Sequence, residues 1–403
     1  MSSAFTVPVG KVADINPTFK SATISPDELV DFLPMAAVDE GNSVALATEY
    51  RPLSDVQKGY TNFNDGDVLL AKITPCFENG KIAQVRLKRR CGFGSTEFHV
   101  LRPHTDKLDG RYLVHFLRRD EIRIDGARKM TGSAGQRRVP KHYLESLPIY
   151  LPPLPEQRRI AAILDQADAL RAKRREALAQ LDSLSQSIFI EMFGEDHLSP
   201  ITASDKFPVN PKGWKWELLT NYARLATGHT PDREKEEYWH GDIPWISLTD
   251  IRGLNGKWAN QTGQNVTSAG IENSSAVVLP KGTVCFSRTA SVGFVTIMGS
   301  DMATSQDFVN WVPGPKLDPV YLMHALMMSK PQLLALSTGS THRTIYMRVV
   351  EHFRALMPPI DLQREFARIV DAIQSSKEVN QKSIAELDAL FASLQHSAFR
   401  GEL

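Results

Sequence analysis

The chain is poor in cysteine. Its 403 residues contain three, Cys76, Cys91 and Cys285, with no C-x-x-C pair and no Cys/His spacing suited to a metal. This excludes a disulfide framework and a cysteine-built zinc site, and it predicts that the three thiols are packing residues. Long apolar runs are missing too. The stretch from Val320 to Met328 is far shorter than the roughly 20 residues a membrane span needs, and the first ten residues lack the basic start and apolar run of a secretory signal. The expectation is a cytoplasmic protein with no membrane partner. Net charge is nearly absent, at +1 from 47 Lys and Arg against 46 Asp and Glu.

Catalytic signatures are lacking as well. No G-x-x-x-x-G-K-[ST] stretch cradles a nucleotide. No glycine-rich cofactor turn or polar-Pro-Pro-aromatic motif suits an adenine methyltransferase, because both Pro-Pro pairs follow an apolar residue, Leu151 or Met357, and lead into helical patterns. The charges of Asp232-Arg233-Glu234-Lys235 are contiguous and read as a solvated loop, not as metal-gathering nuclease carboxylates. His99, His115, His142, His324 and His342 are scattered. No catalytic residue and no metal ligand is assigned.

What the chain does have is a duplication. Asp65-Gly66-Asp67-Val68-Leu69-Leu70-Ala71-Lys72 is echoed by Lys281-Gly282-Thr283-Val284-Cys285-Phe286-Ser287-Arg288, a glycine turn and an alternating strand ending on a base. In the same order, Ser95-Thr96-Glu97-Phe98 returns as Ser305-Gln306-Asp307-Phe308, and Asp109, Tyr112 and His115 return as Asp318, Tyr321 and His324. Thr131-Gly132-Ser133 returns as Thr338-Gly339-Ser340, and Leu151-Pro152-Pro153-Leu154 with Gln157 returns as Met357-Pro358-Pro359-Ile360 with Gln363. The period slightly exceeds two hundred residues, so each copy is long enough for its own core. The fold expected is α+β: two mixed α/β domains and two long helices in an antiparallel coiled coil, approaching two-fold symmetry. Expected boundaries are 1–150 for the first domain, 151–195 for the first helix, 196–356 for the second domain and 357–403 for the second helix.

The helices are expected from about Glu156 to Met192 and from about Leu362 to Phe399. Heptads place Ile160, Arg174 and Leu181 on one seam row with Ile163, Leu170 and Leu184 on the other. In the second helix, Phe366, Ile373, Asn380 and Leu387 form one row, and Ile369 and Leu390 belong to the other. Arg174 and Asn380 fall at equivalent mid-helix positions, where a polar layer can fix register. The second copy carries four more residues before the shared Ser-x-Phe, Ser187-Ile188-Phe189 or Ser397-Ala398-Phe399.

The near-zero total conceals a basic window. Lys81 to Lys141 holds sixteen Lys or Arg against six Asp or Glu, a local excess of ten positive charges suited to phosphate. Base-edge reading needs Arg or Lys for guanine and Asn or Gln for adenine, with Ser, Thr and Tyr adaptable. Two places in each copy carry such residues: the end of the glycine-turn strand and the segment after Thr-Gly-Ser. The first copy contributes Lys72, Thr74, Gln136, Arg137, Arg138 and Lys141. The second contributes Arg288, Thr289, Ser291, His342, Arg343, Thr344, Tyr346 and Arg348. Arg86, Lys88, Arg89 and Arg90 are assigned to backbone positioning or solvent.

Leu151-Pro152-Pro153-Leu154-Pro155-Glu156-Gln157-Arg158-Arg159-Ile160, followed by the run ending Phe193-Gly194, resembles the central conserved region of Type I restriction-modification specificity subunits. The ending Ser397-Ala398-Phe399-Arg400-Gly401-Glu402-Leu403 resembles their distal conserved region. The resemblance implies a sequence-specific DNA-binding subunit without chemistry of its own, whose two target recognition domains each read half of an interrupted double-stranded site. It implies two methylation subunits that bring S-adenosylmethionine, and one or two restriction subunits that bring ATP and Mg. The alternative that composition permits is a non-catalytic scaffold of two domains joined by a coiled coil and binding protein partners.

Overall fold

A computed structural model of the chain describes residues 6–18, 24–133, 135–195, 198–199, 212–339 and 343–403. The chain packs as two compact units, Met1–Ala177 with Asn380–Leu403, and Leu178–Val379. Each unit therefore combines one copy of the duplication with parts of both long helices.

The first unit is built on a five-stranded sheet of β1 (Ala13–Ile15), β2 (Val44–Leu46), β3 (Val68–Ala71), β4 (Ile82–Arg86) and β5 (Phe98–Pro103), in the order β1-β5-β3-β4-β2. All neighbours are antiparallel except β4 and β2, which run parallel. The second unit repeats this with β6 (Ala223–Thr227), β7 (Trp258–Ala259), β8 (Val284–Ser287), β9 (Val295–Met298) and β10 (Phe308–Pro313), ordered β6-β10-β8-β9-β7, with the equivalent pair β9 and β7 parallel. A smaller sheet accompanies each, organised by a parallel pair: Leu29–Leu33 with Gly92–Gly94 in the first unit, and Trp239–Ile246 with Ala303–Thr304 in the second.

The glycine-turn strands alternate between two cores, not between core and solvent. Val68 and Leu70 face one cluster and Leu69 and Ala71 another, and all four are buried. Val284 and Phe286 likewise join one cluster while Cys285 joins a second. Sheets covered on both faces carry such continuous apolar runs. The thiols of Cys91 and Cys285 are buried, and burial pushes both up from the ordinary thiol range.

Two helices in each unit complete the frame: α1 (Gly110–Leu117) with α2 (Leu154–Phe193), and α3 (Pro319–Met328) with α4 (Ile360–Arg400). Both long helices start two residues earlier than expected; in α2 the first turn includes Pro155, which is tolerated there because it has no amide to lose. Asp109 caps α1 by accepting from the amides of Arg111 and Tyr112, and Asp318 caps α3 by accepting from Val320 and Tyr321. One wholly buried glutamine then ties each cap to the adjacent long helix. Gln157 Oε1 accepts from the Asp109 amide at 2.9 Å while its Nε2 donates to the Pro152 and Lys107 carbonyls, each at 2.8 Å. Gln363 repeats the set: it accepts from Asp318 at 2.9 Å and donates to Pro358 at 2.8 Å and Lys316 at 3.4 Å. The Tyr112 hydroxyl donates to the Tyr150 carbonyl and the Tyr321 hydroxyl to the Leu356 carbonyl, both at 2.8 Å.

The two long helices pair antiparallel within each unit. In the first, Arg171 reaches Asp388 at 2.5 Å and Arg174 Nη1 donates to Asn380 Oδ1 at 3.3 Å, so the two seam polar residues do meet. In the second, Lys377 reaches Asp182 at 2.9 Å, Phe189 and Phe193 meet Phe366 edge-on, and on Tyr321 Phe193 packs edge-on and Phe189 tilted. Phe399 packs on Tyr112 in the first unit as Phe189 packs on Tyr321 in the second, with centroids 4.9 and 5.7 Å apart. The shared Ser-x-Phe thus closes each core with the end of the other copy's helix.

One seam row lies largely where the heptads place it: Ile160, Phe366, Ile373 and Asn380 are buried and Leu181 and Leu387 half-buried, but Arg174 is exposed and meets Asn380 only through its guanidinium. The other row is displaced by one residue. Leu170, Leu184 and Leu390 are exposed and Ile163 and Ile369 half-buried, whereas Leu164, Phe391 and Ala398 are buried and Arg171 is partly covered. In a repeat of seven, the second row can sit three or four residues after the first, and leucines occupy both positions here.

Replacing Gln157 by Leu leaves one amide and two carbonyls without their buried partner, and the same holds for Gln363. Each substitution should cost about 2 to 4 kcal/mol. Chemical denaturation of both variants should give similar losses; a loss at one position only would contradict the equivalence of the two networks.

Candidate nucleic-acid interface

Beyond β3 the chain is taken up by a second loop. The Lys72 amide donates to the Glu97 carbonyl at 2.8 Å, Thr74 N donates to Arg137 O at 3.0 Å, and Val139 N donates to Lys72 O at 2.8 Å. Thr131 and Arg138 exchange backbone hydrogen bonds at 3.0 and 2.8 Å, closing a loop over Gly132, Ser133, Gly135, Gln136 and Arg137. Gly132 has φ +125, and a Cβ there would stand 2.6 Å from the Gln136 carbonyl oxygen, so this closure requires glycine.

The second unit builds the same pair of loops. Arg288 N donates to Asp307 O, Ala290 N to Arg343 O and Ile345 N to Arg288 O, each at 2.9 Å. Thr338 and Thr344 exchange bonds at 3.1 and 3.0 Å, and Gly339 takes φ +106. Lys72 thus corresponds to Arg288, Arg137 to Arg343 and Arg138 to Thr344. The two segments singled out in each copy by sequence are brought together in space.

Their side chains are committed to different degrees. Arg138 grips Glu97 through Nε and Nη2, both at 2.8 Å. This hydrogen-bonded pairing draws the Glu97 carboxyl below its usual range. The Thr74 hydroxyl donates to Glu78 at 3.1 Å, and Lys141 lies 3.2 Å from Glu145 on its own helix. Gln136 and Arg137 are exposed, and Lys72 is half-buried. In the second unit Arg288 donates to the Gln306 carbonyl at 3.2 Å, and Ser291 accepts from Arg252 at 3.5 Å. Arg343, Tyr346 and Arg348 are exposed, and Thr289 and Thr344 are half-buried. His342 lies outside the described residues.

Two supports went unrecognised in the sequence. Glu97 and Asp307 supply the carbonyls that end β3 and β8; the recurrence of Ser-x-acid-Phe was the available signal. His99 is buried on β5 and within 2.8 Å of the Val139 carbonyl, beneath the first unit's loop pair, and burial lowers its basicity. Nothing in a lone histidine amid a strand predicts that contact. Among the described residues no group of three or more His, Cys, Asp or Glu could hold a metal ion, and no helix is long and apolar enough to cross a membrane.

This arrangement of duplicated mixed sheets on long antiparallel helices is shared by a solved chain from work on complex assembly and conformational transition of the Type I restriction-modification system. The match has a TM-score of 0.62 at 20% identity and covers 99% of this chain and 98% of that one. The family model described as Type I restriction modification DNA specificity domain matches residues 6–180 and again 211–389. The chain belongs to that family. It is similar to the specificity subunit of the Type I restriction enzyme EcoAI from Escherichia coli, 36% identical over 219 residues that make up 54% of this chain and 34% of that protein. It is also similar to the EcoEI specificity subunit of Escherichia coli, 34% identical over 222 residues, 55% of this chain and 35% of that protein. The aligned stretches thus span about a third of these curated relatives.

The committed state of Arg138 separates it from its neighbour. Because pairing depresses the Glu97 carboxyl, its stabilisation is present above the unfolded carboxylate's range and is lost as pH falls through the folded value. Arg138→Ala should lower the thermal midpoint at pH 7 by roughly 1 to 3 °C, the pair being partly screened by solvent. The deficit should shrink as pH falls below the ordinary carboxylate range, and Arg137→Ala should show none at pH 7 or at low pH. A deficit for Arg137→Ala, or none for Arg138→Ala at pH 7, would reverse these roles.

Proposed function

We propose that this chain is the DNA-reading subunit of a Type I restriction-modification complex, each unit recognising one half of an interrupted double-stranded site. The observation that carries this is the loop pair itself: the same backbone hydrogen bonds hold the same two segments together in both units, and exposed Arg137 and Arg343 stand at matching positions. A scaffold for protein partners has no need to build one glycine-closed basic loop twice. Arg137 and Arg343 have the donor geometry for guanine O6 and N7, and Gln136 has the paired donor and acceptor for adenine. Lys72, Arg288, Thr289, Ser291, Thr344, Tyr346 and Arg348 border them as further base or phosphate contacts. Arg138 acts mainly by holding the first loop to Glu97, and the side chains of Thr74 and Lys141 are engaged with Glu78 and Glu145.

The chain supplies recognition and no chemistry. Two methylation subunits docking on the long helices bring S-adenosylmethionine and methylate adenine N6; one or two restriction subunits bring ATP and Mg. The paired helices set the gap between the half-sites. An α-helix rises about 1.5 Å per residue and DNA about 3.4 Å per base pair, so helix length converts into base pairs.

The test is to co-express the chain with its methylation subunits and map N6-methyladenine across the host genome. The expected result is one interrupted motif. Four residues inserted after Ala172 add nearly one helical turn, about 6 Å, and should widen the gap by one or two base pairs with the half-sites unchanged. Two inserted residues rotate the seam by about 200° and should abolish methylation. An unchanged gap with activity retained after the four-residue insertion would show that the helices are not the ruler.

A further inference from the structure

In the second unit a rigid turn joins Ala303–Thr304 to β10. Ser305 and Phe308 are buried, the Ser305 amide donates to the Ile246 carbonyl at 3.0 Å, and the Ser305 hydroxyl donates to Asp307 Oδ2 at 2.9 Å. A further segment is laid directly on this turn. Gly228 passes so close that a Cβ there would stand 2.2 Å from the Ser305 carbonyl oxygen, and the next amide, of His229, donates to the Thr304 carbonyl at 2.9 Å. The Trp245 indole donates to the His229 carbonyl at 3.2 Å and holds the segment in place.

From Thr304 to Phe308 the one exposed residue is Gln306. Direct contacts tie it to the reading loops: the Arg288 amide donates to the neighbouring Asp307 carbonyl at 2.9 Å, and the Arg288 guanidinium donates to the Gln306 carbonyl at 3.2 Å. Arg288 is half-buried and engaged with that carbonyl, so the exposed side chain at this corner is the glutamine's. Its carboxamide is already oriented, because the Thr230 hydroxyl donates to Gln306 Oε1 at 2.5 Å. One Oε1 lone pair and both Nε2 hydrogens remain. A carboxamide presenting one acceptor beside a donor matches the N6 and N7 edge of adenine. The fold does not require glutamine here. The equivalent turn of the first unit, Ser95-Thr96-Glu97-Phe98, exposes Thr96 at the same position.

We infer that Gln306, oriented by Thr230, is a specificity-determining residue of the second unit and reads an adenine, other than the methylated one, in that unit's half-site. This rests on the DNA-reading function proposed above. Arg288 braces the turn from below through the Gln306 carbonyl, and Thr230 fixes the carboxamide, so little side-chain freedom remains to be lost on binding. The first unit, with Thr96 in this place, lacks the paired donor and acceptor.

The experiment uses the full chain with its methylation subunits and labelled duplexes carrying the motif found by methylation mapping, with the second unit's half-site identified by exchanging residues 206–350. Each base pair of that half is substituted in turn and the dissociation constant is measured. The wild-type complex should discriminate at an A·T pair besides the methylated one. In Gln306→Ala, discrimination at that pair should fall roughly tenfold, with the first half-site, the gap and the thermal midpoint unchanged. Gln306→Thr, which installs the residue that the first unit's turn accommodates, should match the alanine variant. Thr230→Val, which keeps the side chain's shape and removes the hydroxyl, should relax the same pair more weakly. Unchanged discrimination in both Gln306 variants, or relaxation at a G·C pair, overturns the inference. Equal weakening on every duplex with discrimination intact makes Gln306 a backbone contact and overturns it too. These outcomes leave the DNA-reading function standing, whereas a wild-type complex with no base preference in any duplex overturns both readings.

Discussion

Each unit depends on a neutral side chain with no solvent exposure. Gln157 and Gln363 each satisfy the amide of a capping aspartate, the carbonyl of the first proline in a Pro-Pro pair and the carbonyl of a residue just before the cap. A buried amide side chain with unmet partners would be expensive, so the bonds are kept together or lost together. Through them the start of a long helix is locked to a short helix that packs on the five-stranded sheet, and the sheet in turn carries the paired loops. The loops are therefore placed by a rigid chain of backbone contacts running to the helix, in each unit separately.

On this repeated frame the two units have diverged where packing allows. In the first, Asp165 on α2 receives Arg111 and His115; burial would raise its pKa, but these hydrogen bonds prevail and hold it at about 2. In the second, Val320 replaces the arginine, and His324 lies between Phe189 and Phe366, where burial lowers its pKa to about 4. An ion cluster and an aromatic sandwich fill the same place beside the long helices. The loops differ likewise: Arg138 and Glu97 form an ion pair where the second unit has Thr344 and Asp307, with Asp307 accepting from Ser305 instead. A shared frame with unlike loop chemistry fits the proposal that the two units read different half-sites.

Much of this was legible in the sequence because duplication makes local signals repeat. Asp-x-x-Tyr-x-x-His, Thr-Gly-Ser and Pro-Pro with a following Gln each proved to mark the same hydrogen-bonded element twice. The polar seam pair Arg174 and Asn380 was readable for the same reason. The second seam row was not, since apolar residues occupy both candidate positions, Ile163 beside Leu164 and Leu390 beside Phe391, and only the neighbouring helix decides which is covered. Val68–Ala71 is apolar throughout and is covered on both faces, so the expected alternation does not apply to it.

The central claim is that the two units are equivalent frames bearing independent readers. Its most direct measurement is an exchange: residues 206–350 are replaced by the corresponding segment of a relative, the chimera is co-expressed with the methylation subunits, and N6-methyladenine is mapped across the genome. The account predicts a motif in which one half changes and the other half and the gap remain. A motif changed in both halves, or in neither, would contradict it.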